Sequence, residues 1–280
     1  MKNKNWIAFL MFWVTILNVG CTSVPTSDGM VFQKSLDQHI SFEIDDAEKL
    51  SVNVQIGKCK ISYNDSKDTN VYVDYYIRSN KKEYIDDIVS HVDLRAENNG
   101  GLLSVELIEK SSGDVVWNWI HNKYGNAVEV SADLDIILPT SVNDFSVEMG
   151  VGDVHLDGLI GRCSIVSGVG DIVLNDSNIM EDSHFTTGVG NIYLKPNATC
   201  GTITANSGVG DVEFSLSECT FDSTSCDIGV GTGNIIVRMG MNSYSIVSED
   251  YSYTSCKKNI KVTDNCDIKM NTDVGKITIR

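Results

Sequence analysis

A short glycine motif recurs through the second half of the chain at nearly constant spacing. Its copies are MGVGDVHL (149–156), SGVGDIVL (167–174), TGVGNIYL (187–194), SGVGDVEF (207–214) and, more loosely, VGTGNIIV (230–237). The second glycines of these copies are Gly152, Gly170, Gly190, Gly210 and Gly233. Their separations, 18, 20, 20 and 23 residues, predict stacked coils of β-strand, a β-solenoid with about twenty residues per coil.

Each copy changes the phase of its apolar residues across the glycines. Phe145 and Val147 alternate with polar residues before the first motif, whereas Val154 and Leu156 follow it in the opposite phase. A strand that changes phase must turn or bulge, and glycine tolerates the positive φ of such a corner. We therefore interpret the five second glycines as structural corners. We also expect one interior column along the stack, made of Val151, Val169, Val189, Val209 and Thr232.

A phosphate cradle is the competing interpretation of a Gly-x-Gly motif. A dinucleotide fingerprint needs a third glycine and a following helix, and a phosphate loop needs Gly-Lys-Ser/Thr. The third place here holds His155, Val173, Tyr193 or Glu213, and β-branched residues surround it. The structural corner is the favoured interpretation.

An acidic or amide residue directly follows each second glycine. Stacked coils would bring these residues to about 5 Å spacing. Asp and Asn cap turns by bonding the backbone, while oxygen ligands on successive coils would also suit a calcium ion. Turn capping is favoured, because the calcium-binding nonapeptide of β-rolls is absent, and a shared cation stays the alternative. The column consists of Asp153, Asp171, Asn191, Asp211 and Asn234.

The N-terminus has the pattern of an export signal. Two lysines precede the apolar run Trp6–Leu17, which is too short to span a bilayer. We predict that residues 1–20 are a signal peptide. The small residue before Cys21 resembles the lipobox of bacterial lipoproteins, although Asn18 departs from it; the resemblance implies that Cys21 is lipidated, with residues 21–37 as lipidated cysteine and tether. Simple cleavage and an uncleaved anchor are the alternatives.

Charge excludes one class of partner. The chain carries 22 Lys+Arg against 38 Asp+Glu, a net charge of −16. Removal of residues 1–20 takes two lysines with it and leaves 20 − 38 = −18. A protein this acidic does not bind nucleic acid through charge.

Cysteine usage is compatible with export. Besides Cys21 there are seven cysteines, and their spacing does not suit zinc. Close pairs such as Cys219 with Cys226, or Cys256 with Cys266, are candidate disulfides. Buried unpaired thiols are the equally weighted alternative.

Residues 38–138 precede the repeats and predict a β-rich region with one short helix. Segments 40–44, 50–54 and 71–75 alternate apolar with polar residues, as half-buried strands do. Apolar residues recur at helical spacing over Lys81–His91, and Asn98–Gly101 lies between two apolar segments, a hairpin signal.

Two tryptophans stand two positions apart near the end of this region. Trp117 and Trp119 lie in the stretch VWNWI, which we predict to be a strand, so that both side chains would face the same side. Packing is favoured over a sugar-binding platform, because aromatic residues are common in strands.

From residue 38 onward the chain resembles the bacterial putative-adhesin domain family, a family of unknown function built from β-helical repeats. The resemblance lies in Gly57 at the end of VNVQI, the helix before a glycine-containing hairpin, LDIILP at 134–139, and the repeated Gly-[Asp/Asn] motif. It implies an exported all-β protein with a solenoid over 139–280. The Tyr/Ser-rich stretch 244–255 departs from the pattern, so residues 241–280 are predicted to form an irregular cap.

Three functions compete for such a chain. The first is a lipid-anchored, non-enzymatic binding or adhesion module of the cell envelope, at the outer membrane or cell surface, with a glycan or protein ligand. The second is a structural or regulatory envelope protein that self-associates or binds envelope partners. The third is a polysaccharide-processing β-helix enzyme, which ranks last because the five histidines are scattered and His155 and His184 fall on outward positions. No cofactor is expected apart from the calcium alternative.

Overall fold

The protein is a predominantly β structure. The computed structural model describes residues 17–18, 22–23, 30–43, 47–180, 182–216, 220–240, 244–251 and 255–280. Within these ranges, 22 strands join into one continuous sheet, accompanied by two α-helices and one 3-10 turn. The predicted all-β class is confirmed.

The elements lie in the following order. The strands before the repeats are β1 (Leu17–Asn18), β2 (Thr22–Ser23), β3 (Phe32–Glu43), β4 (Lys49–Ile56), β5 (Cys59–Asn64), β6 (Asp68–Ser79), β7 (Val92–Asn99), β8 (Leu102–Glu109) and β9 (Val128–Pro139). The helices are α1 (Lys82–His91), α2 (Val116–Tyr124) and the 3-10 turn Gly125–Ala127. The remaining strands are β10 (Asp144–Val151), β11 (Val154–Asp157), β12 (Ile160–Val169), β13 (Ile172–Ile179), β14 (Ser183–Val189), β15 (Ile192–Val209), β16 (Val212–Ser215), β17 (Thr220–Thr232), β18 (Ile235–Arg238), β19 (Ser245–Tyr251), β20 (Cys256–Thr263), β21 (Cys266–Val274) and β22 (Ile277–Ile279).

A first parallel ladder carries the segments that precede the glycines. It runs through β4, β10, β12, β14, the end of β15, β17 and β21. The register aligns residues of the same inward face, so apolar side chains stack on apolar side chains and leave water together. One such column is Val52, Val147, Ile165, Phe185, Ala205, Ile228 and Met270, all buried.

A second parallel ladder carries the segments that follow the glycines. It runs through β9, β5, β11, β13, the start of β15, β16, β18 and β22. Its inward column also stacks apolar residues, each contributing about 1.5–3 kcal/mol when fully buried. The column is Ile136, Ile61, Leu156, Leu174, Leu194, Phe214, Val237 and Ile279.

Antiparallel strands cover both ends of the parallel ladders. At the N-terminal end, the β7–β8 hairpin pairs with β4, and β3 and β6 join β9. At the C-terminal end, β19 and β20 extend β21. Such caps limit edge-to-edge aggregation. The hairpin predicted at Asn98–Gly101 is confirmed, and β3 begins at Phe32, within the range 21–37 assigned to the tether.

The helices agree only in part with the sequence prediction. The predicted helix over Lys81–His91 is confirmed as α1. The predicted strand around Trp117 and Trp119 is wrong, because these residues lie in α2. The stretch VWNWI satisfies both a period of two and a helical turn, and packing against the sheet selects the helix. Residues two positions apart on a helix point about 200° apart, so the two indoles do not share a face.

The predicted interior valine column is also wrong. Val151, Val169, Val189 and Val209 are 46–51% exposed. The alternation of buried and exposed positions ends at Met149, and the chain turns over residues 150–153. The valine therefore lies on the outer side of the bend, while the phase change predicted across the glycines is present.

The cysteines that the structure describes form no disulfide with one another. They are Cys59, Cys163, Cys200, Cys226, Cys256 and Cys266. The predicted Cys256–Cys266 bridge is wrong, because these residues lie at opposite ends of the β20–β21 hairpin, where Cys256 is opposite Thr272. The thiols of Cys226 and Cys266 instead hydrogen bond across β17 and β21, which lowers the pKa of Cys266. Cys219 lies outside the described residues.

Candidate functional site

The predicted corner glycines stack on one another through the two ladders. Gly170 has φ +147°, and a Cβ at this position would lie 2.0 Å from the carbonyl oxygen of Gly152 in the preceding coil. The same close approach recurs at each second glycine, and Gly57 and Gly275 extend the column to both ends. The first glycines form a parallel column in which a Cβ would lie 2.5–2.6 Å from a carbonyl oxygen; these are Gly150, Gly168, Gly188, Gly208 and Gly231.

The N–H groups of the corner are already used within the stack. Gly152 N donates to Val169 O at 2.7 Å, and Gly170 N donates to Val189 O at 2.9 Å. A phosphate cradle needs such N–H groups to face an anion. The geometry therefore favours the structural corner over the nucleotide interpretation.

The Asp/Asn column forms a continuous hydrogen-bonded ladder. Asp153 Oδ1 accepts from the backbone N–H of Asp171 at 2.9 Å, and Asp171 Oδ1 accepts from that of Asn191 at 2.7 Å. The pattern continues through Asp211 and Asn234, whose Oδ1 accepts from Lys276 N at 3.2 Å. Each side chain thus caps the turn of the following coil.

A shared cation has less support than turn capping. One carboxylate or amide oxygen of each column residue is engaged by backbone, and Asn191 and Asn234 also donate their Nδ2 atoms to Asp171 and Asp211. Among the described residues, no three His, Cys, Asp or Glu side chains are grouped as metal ligands would be. The predicted lipidation site, Cys21, lies outside the described residues.

A column of hydroxyl residues was missed by the sequence analysis. Ser167, Thr187, Ser207 and Thr272 are buried, and each donates to the carbonyl of the second glycine one coil earlier, at 2.7–3.0 Å. The signal was present in the letter before three of the GVG motifs, where Ser167, Thr187 and Ser207 stand, whereas Met149 precedes the first. Small inward residues are equally compatible with simple packing, so spacing alone did not reveal the hydrogen bond.

A concave surface lies beside α2. This groove, about 1040 Å³, lies between α2 and the ends of β4 and β9. The register of β4 with β8 stops at Val52, whereas its register with β10 continues to Ile56. Gln55 and Ile56 therefore line the groove instead of packing under β8.

Contacts with α1 hold α2 in place beside the groove. Lys123 Nζ lies 2.6 Å from Asp87 Oδ2, and the Tyr124 hydroxyl donates to the same oxygen. Burial opposes ionisation of Asp87, but the bonds from Lys123 and Tyr124 outweigh it and lower the pKa of the carboxyl. His91 packs near the ring of Trp119 on the same side.

Trp119 belongs to this anchoring cluster. Its ring centroid lies 5.6 Å from that of Tyr124 in an edge-on arrangement, and Lys123 Nζ lies 4.9 Å from the ring centroid. Such aromatic and cation–π contacts favour one orientation of the indole. The packing role predicted for the tryptophans therefore fits Trp119.

Trp117 differs from Trp119 in one respect that matters for binding. Both residues line the groove. Trp117 is 7% exposed, and its buried Nε1 has no hydrogen-bond partner. Buried N–H groups are normally satisfied, and an orphan of this kind calls for an explanation. Nε1 is itself buried, so an acceptor from a ligand in the groove would satisfy it only after neighbouring side chains shift.

The groove offers amides and carboxylates but no basic side chain other than histidine. Four amide side chains and two carboxylates line it, together with His121 and the partly exposed Ile56 and Val115. One carboxylate, that of Glu129, is paired with Arg78 at 2.9 Å. The polar side chains are Gln55, Asn118, Asn122, Asn126, Asp114 and Glu129.

The loop that leads into α2 is held by a buried carboxylate. Glu109 is 3% exposed, and its Oε2 accepts from Ser112 N at 2.6 Å. Backbone hydrogen bonds from Ser112 and Ser111 lower the pKa of Glu109 to about 2. The charged form of Glu109 thus holds the backbone at Ser111 and Ser112. The next two residues, Gly113 and Asp114, line the rim of the groove.

Another concavity, of about 660 Å³, lies on the outer face of β3, β6 and β9. Asp37, Asp74 and Asp133 are directly opposite one another across these strands. Burial first, and then the charges of Asp37 and Asp133, raise the pKa of Asp74. His39 stacks on Tyr72 nearby at 4.1 Å between ring centroids.

The chain is similar to several solved bacterial structures. A Bacteroides fragilis protein named as a putative adhesin is 14% identical over 87% of this chain and 97% of its own, with a TM-score of 0.39. A Clostridium sporogenes protein named as a putative cell adhesion protein is 14% identical over 87% and 98%, with a TM-score of 0.32. A Parabacteroides distasonis protein named as a putative lipid binding protein is 11% identical over 87% and 96%, with a TM-score of 0.34.

Other comparisons give no match. No protein-family model and no curated protein matches the chain. In the part of the chain that the structure describes, neither helix has the length and apolar character needed to cross a membrane.

Proposed function

We propose that this chain is a non-enzymatic binding module of the bacterial cell envelope, anchored through lipidated Cys21, and that the α2 groove is its binding site. The two parallel ladders act as a β-solenoid scaffold that holds the site rigidly. The observation that carries the proposal is the buried, unpartnered Nε1 of Trp117, a residue that lines the groove. A site of this kind is a default candidate for ligand binding.

Binding rather than catalysis is supported by the arrangement of the groove. Glu129 is held in an ion pair with Arg78, and α2 is tied to α1 through Asp87. Catalytic sites usually hold acid and base groups with pKa values set apart by their surroundings. Among the described residues, three carboxyls have clearly shifted pKa values. Asp87 and Glu109 stabilise local structure, and Asp74 lies on another face of the protein.

Self-association is the second candidate function. The edge strand β19 pairs only with β20 among the described residues, and Ile246 and Val247 on it are 51% and 66% exposed. Exposed apolar edges of this kind favour strand pairing between chains. Sedimentation of the purified full chain distinguishes this role from ligand binding, since Val247→Lys would dissociate an oligomer formed through β19.

Two experiments on cells test the proposed function. A non-penetrating protease or an antibody applied to intact cells should reach the full chain, and Cys21→Ser should release it from the membrane fraction. Protection until lysis would exclude a surface role. Attachment of the cells to other bacterial or epithelial cells should fall with Trp117→Phe and remain with Tyr193→Phe, an exposed aromatic residue outside the groove. Equal attachment by wild type and Trp117→Phe would reject the groove as the site.

A further inference from the structure

We infer that the ligand of the α2 groove is an uncharged oligosaccharide, bound with a hydroxyl or ring oxygen accepting from Nε1 of Trp117. This inference rests on the proposed function, and it adds the chemical class of the ligand. It follows from four features of the groove that point to the same chemistry.

The first feature is the unpartnered donor. An indole N–H can only donate, so the ligand atom beside Trp117 must be an acceptor. Leaving a buried donor unsatisfied carries a desolvation penalty, whereas an added acceptor recovers it. Because Nε1 is itself buried, a ligand oxygen would reach it from the groove once the side chains around it shift.

The second feature is the set of amide side chains. Gln55, Asn118, Asn122 and Asn126 each present a carbonyl acceptor and an NH₂ donor. Hydroxyl groups are likewise donors and acceptors at once. A ligand rich in hydroxyls therefore matches the lining better than a ligand with acceptors alone.

The third feature is charge. No Lys or Arg lines the groove, while Asp114 and Glu129 do, and the chain as a whole carries −16. Glu129 is paired with Arg78, so phosphates, sulfates and uronic acids would meet the charge of Asp114 with no Lys or Arg among the lining residues to bind them. The favoured oligosaccharide is neutral.

The fourth feature is the apolar surface interspersed among the amides. Ile56 is 42% exposed and Val115 is 37% exposed, and both line the groove with the indoles. Sugar rings have apolar C–H faces that pack on such side chains. An extended peptide beside the free half of β4 is the other class that the groove would admit, since its backbone also offers donors and acceptors to the four amides, and it is an outcome of the test below.

The test measures binding of the purified full chain, in detergent, to an array that contains neutral, sialylated, sulfated and uronate oligosaccharides. Wild type should bind neutral members. Trp117→Phe and Asn122→Ala should each weaken that binding about three- to tenfold, the loss expected for one hydrogen bond. Tyr193→Phe is the matched control and should bind as wild type does. Trp117 is 7% exposed and packs in the core, so Trp117→Phe leaves a small cavity and should lower the thermal midpoint, and binding is measured well below that midpoint. Asn122 is exposed, so Asn122→Ala should leave the midpoint nearly unchanged and separates lost binding from lost folding.

Three results would overturn the inference. Binding restricted to acidic oligosaccharides would contradict the charge argument. Neutral binding that is unaffected by Trp117→Phe and Asn122→Ala would place the sugar elsewhere. Cell attachment that depends on Trp117 but survives periodate and is lost after proteinase treatment of the target cells would identify a protein ligand; the proposed function would then stand while the sugar inference falls. Attachment that is independent of Trp117 would reject both.

Discussion

The carboxylate of Asp171 accepts hydrogen bonds from two atoms of Asn191 in the next coil, its backbone N at 2.7 Å and its Nδ2 at 3.2 Å. This relationship explains why Asp or Asn follows every second glycine. The side chain connects successive coils through the hydrogen bonds that its Oδ1 accepts. The negative charge contributes less to this connection than the oxygen acceptor does.

Removing that oxygen should weaken the stack. We expect Asp171→Ala to lower the free energy of unfolding by about 1–2 kcal/mol, because it leaves two donors of Asn191 without an acceptor. Asp171→Asn should cost less than half as much, since an amide oxygen fills the same role at Asn191 itself. Urea unfolding measures both variants, and an equal loss in the two would mean that the charge matters. Added calcium should leave the wild-type midpoint unchanged; a rise abolished by Asp171→Asn would support the cation alternative instead.

The corner glycines give a second prediction with an internal control. Gly170→Ala should destabilise the protein by more than about 3 kcal/mol or prevent folding, since its Cβ would lie 2.0 Å from Gly152 O and φ is +147°. Gly158 also has positive φ, +66°, but a Cβ there meets nothing within 4 Å. Gly158→Ala should therefore cost only about 1 kcal/mol. Similar thermal midpoints for the two variants would show that close stacking is not the constraint.

Opposed carboxylates predict a stabilising substitution. The pKa of Asp74 is raised by burial and by Asp37 and Asp133, so folding loses stability as pH rises from the usual aspartate range through the folded-state value. We expect Asp74→Asn to raise the free energy of unfolding at pH 7 by about 0.5 kcal/mol, typical of relieved cross-strand repulsion. The gain should disappear below about pH 3.8, where the unfolded-state carboxyl is protonated. A destabilised variant at neutral pH would contradict the repulsion.

Glu109 should show the opposite dependence on pH. Its pKa is lowered from 4.5 to about 2 by backbone hydrogen bonds, so its contribution is full above pH 4.5 and is lost as pH falls toward 2. Glu109→Gln should therefore lower the thermal midpoint at pH 7 and have little effect near pH 2. A difference between the two proteins that is independent of pH would show that shape alone holds the loop before α2.

Thiol reactivity provides a prediction about the core. Burial raises the pKa of both Cys59 and Cys163 to about 12, and the thiolate is the reactive form. At pH 8 a thiol reagent should not modify these two residues in the folded protein, whereas it should modify both in urea. Mass spectrometry of labelled peptides measures this. Rapid labelling of the native protein would contradict their burial.

The sequence predicts the repeat better than it predicts the site, for a physical reason. Gly170 and Asp171 are informative because their environment recurs in every coil, so spacing alone reveals a shared role. The interior position predicted for Val169 is wrong, because simple alternation does not determine which side of a bend a residue occupies. Trp117 lies in a nine-residue helix that occurs once, and its place in the groove depends on α1, β4 and β9, which are distant in sequence.

Binding in the α2 groove is measured most directly in the indole ¹H–¹⁵N spectrum of the full chain during titration with ligand. The probe is the neutral oligosaccharide fraction released from the cells to which the protein attaches. The Trp117 indole signal, assigned by its absence in Trp117→Phe, should move downfield and saturate as Nε1 gains an acceptor. A Trp117 signal that stays in place while the protein binds this fraction would contradict the α2 groove as the binding site.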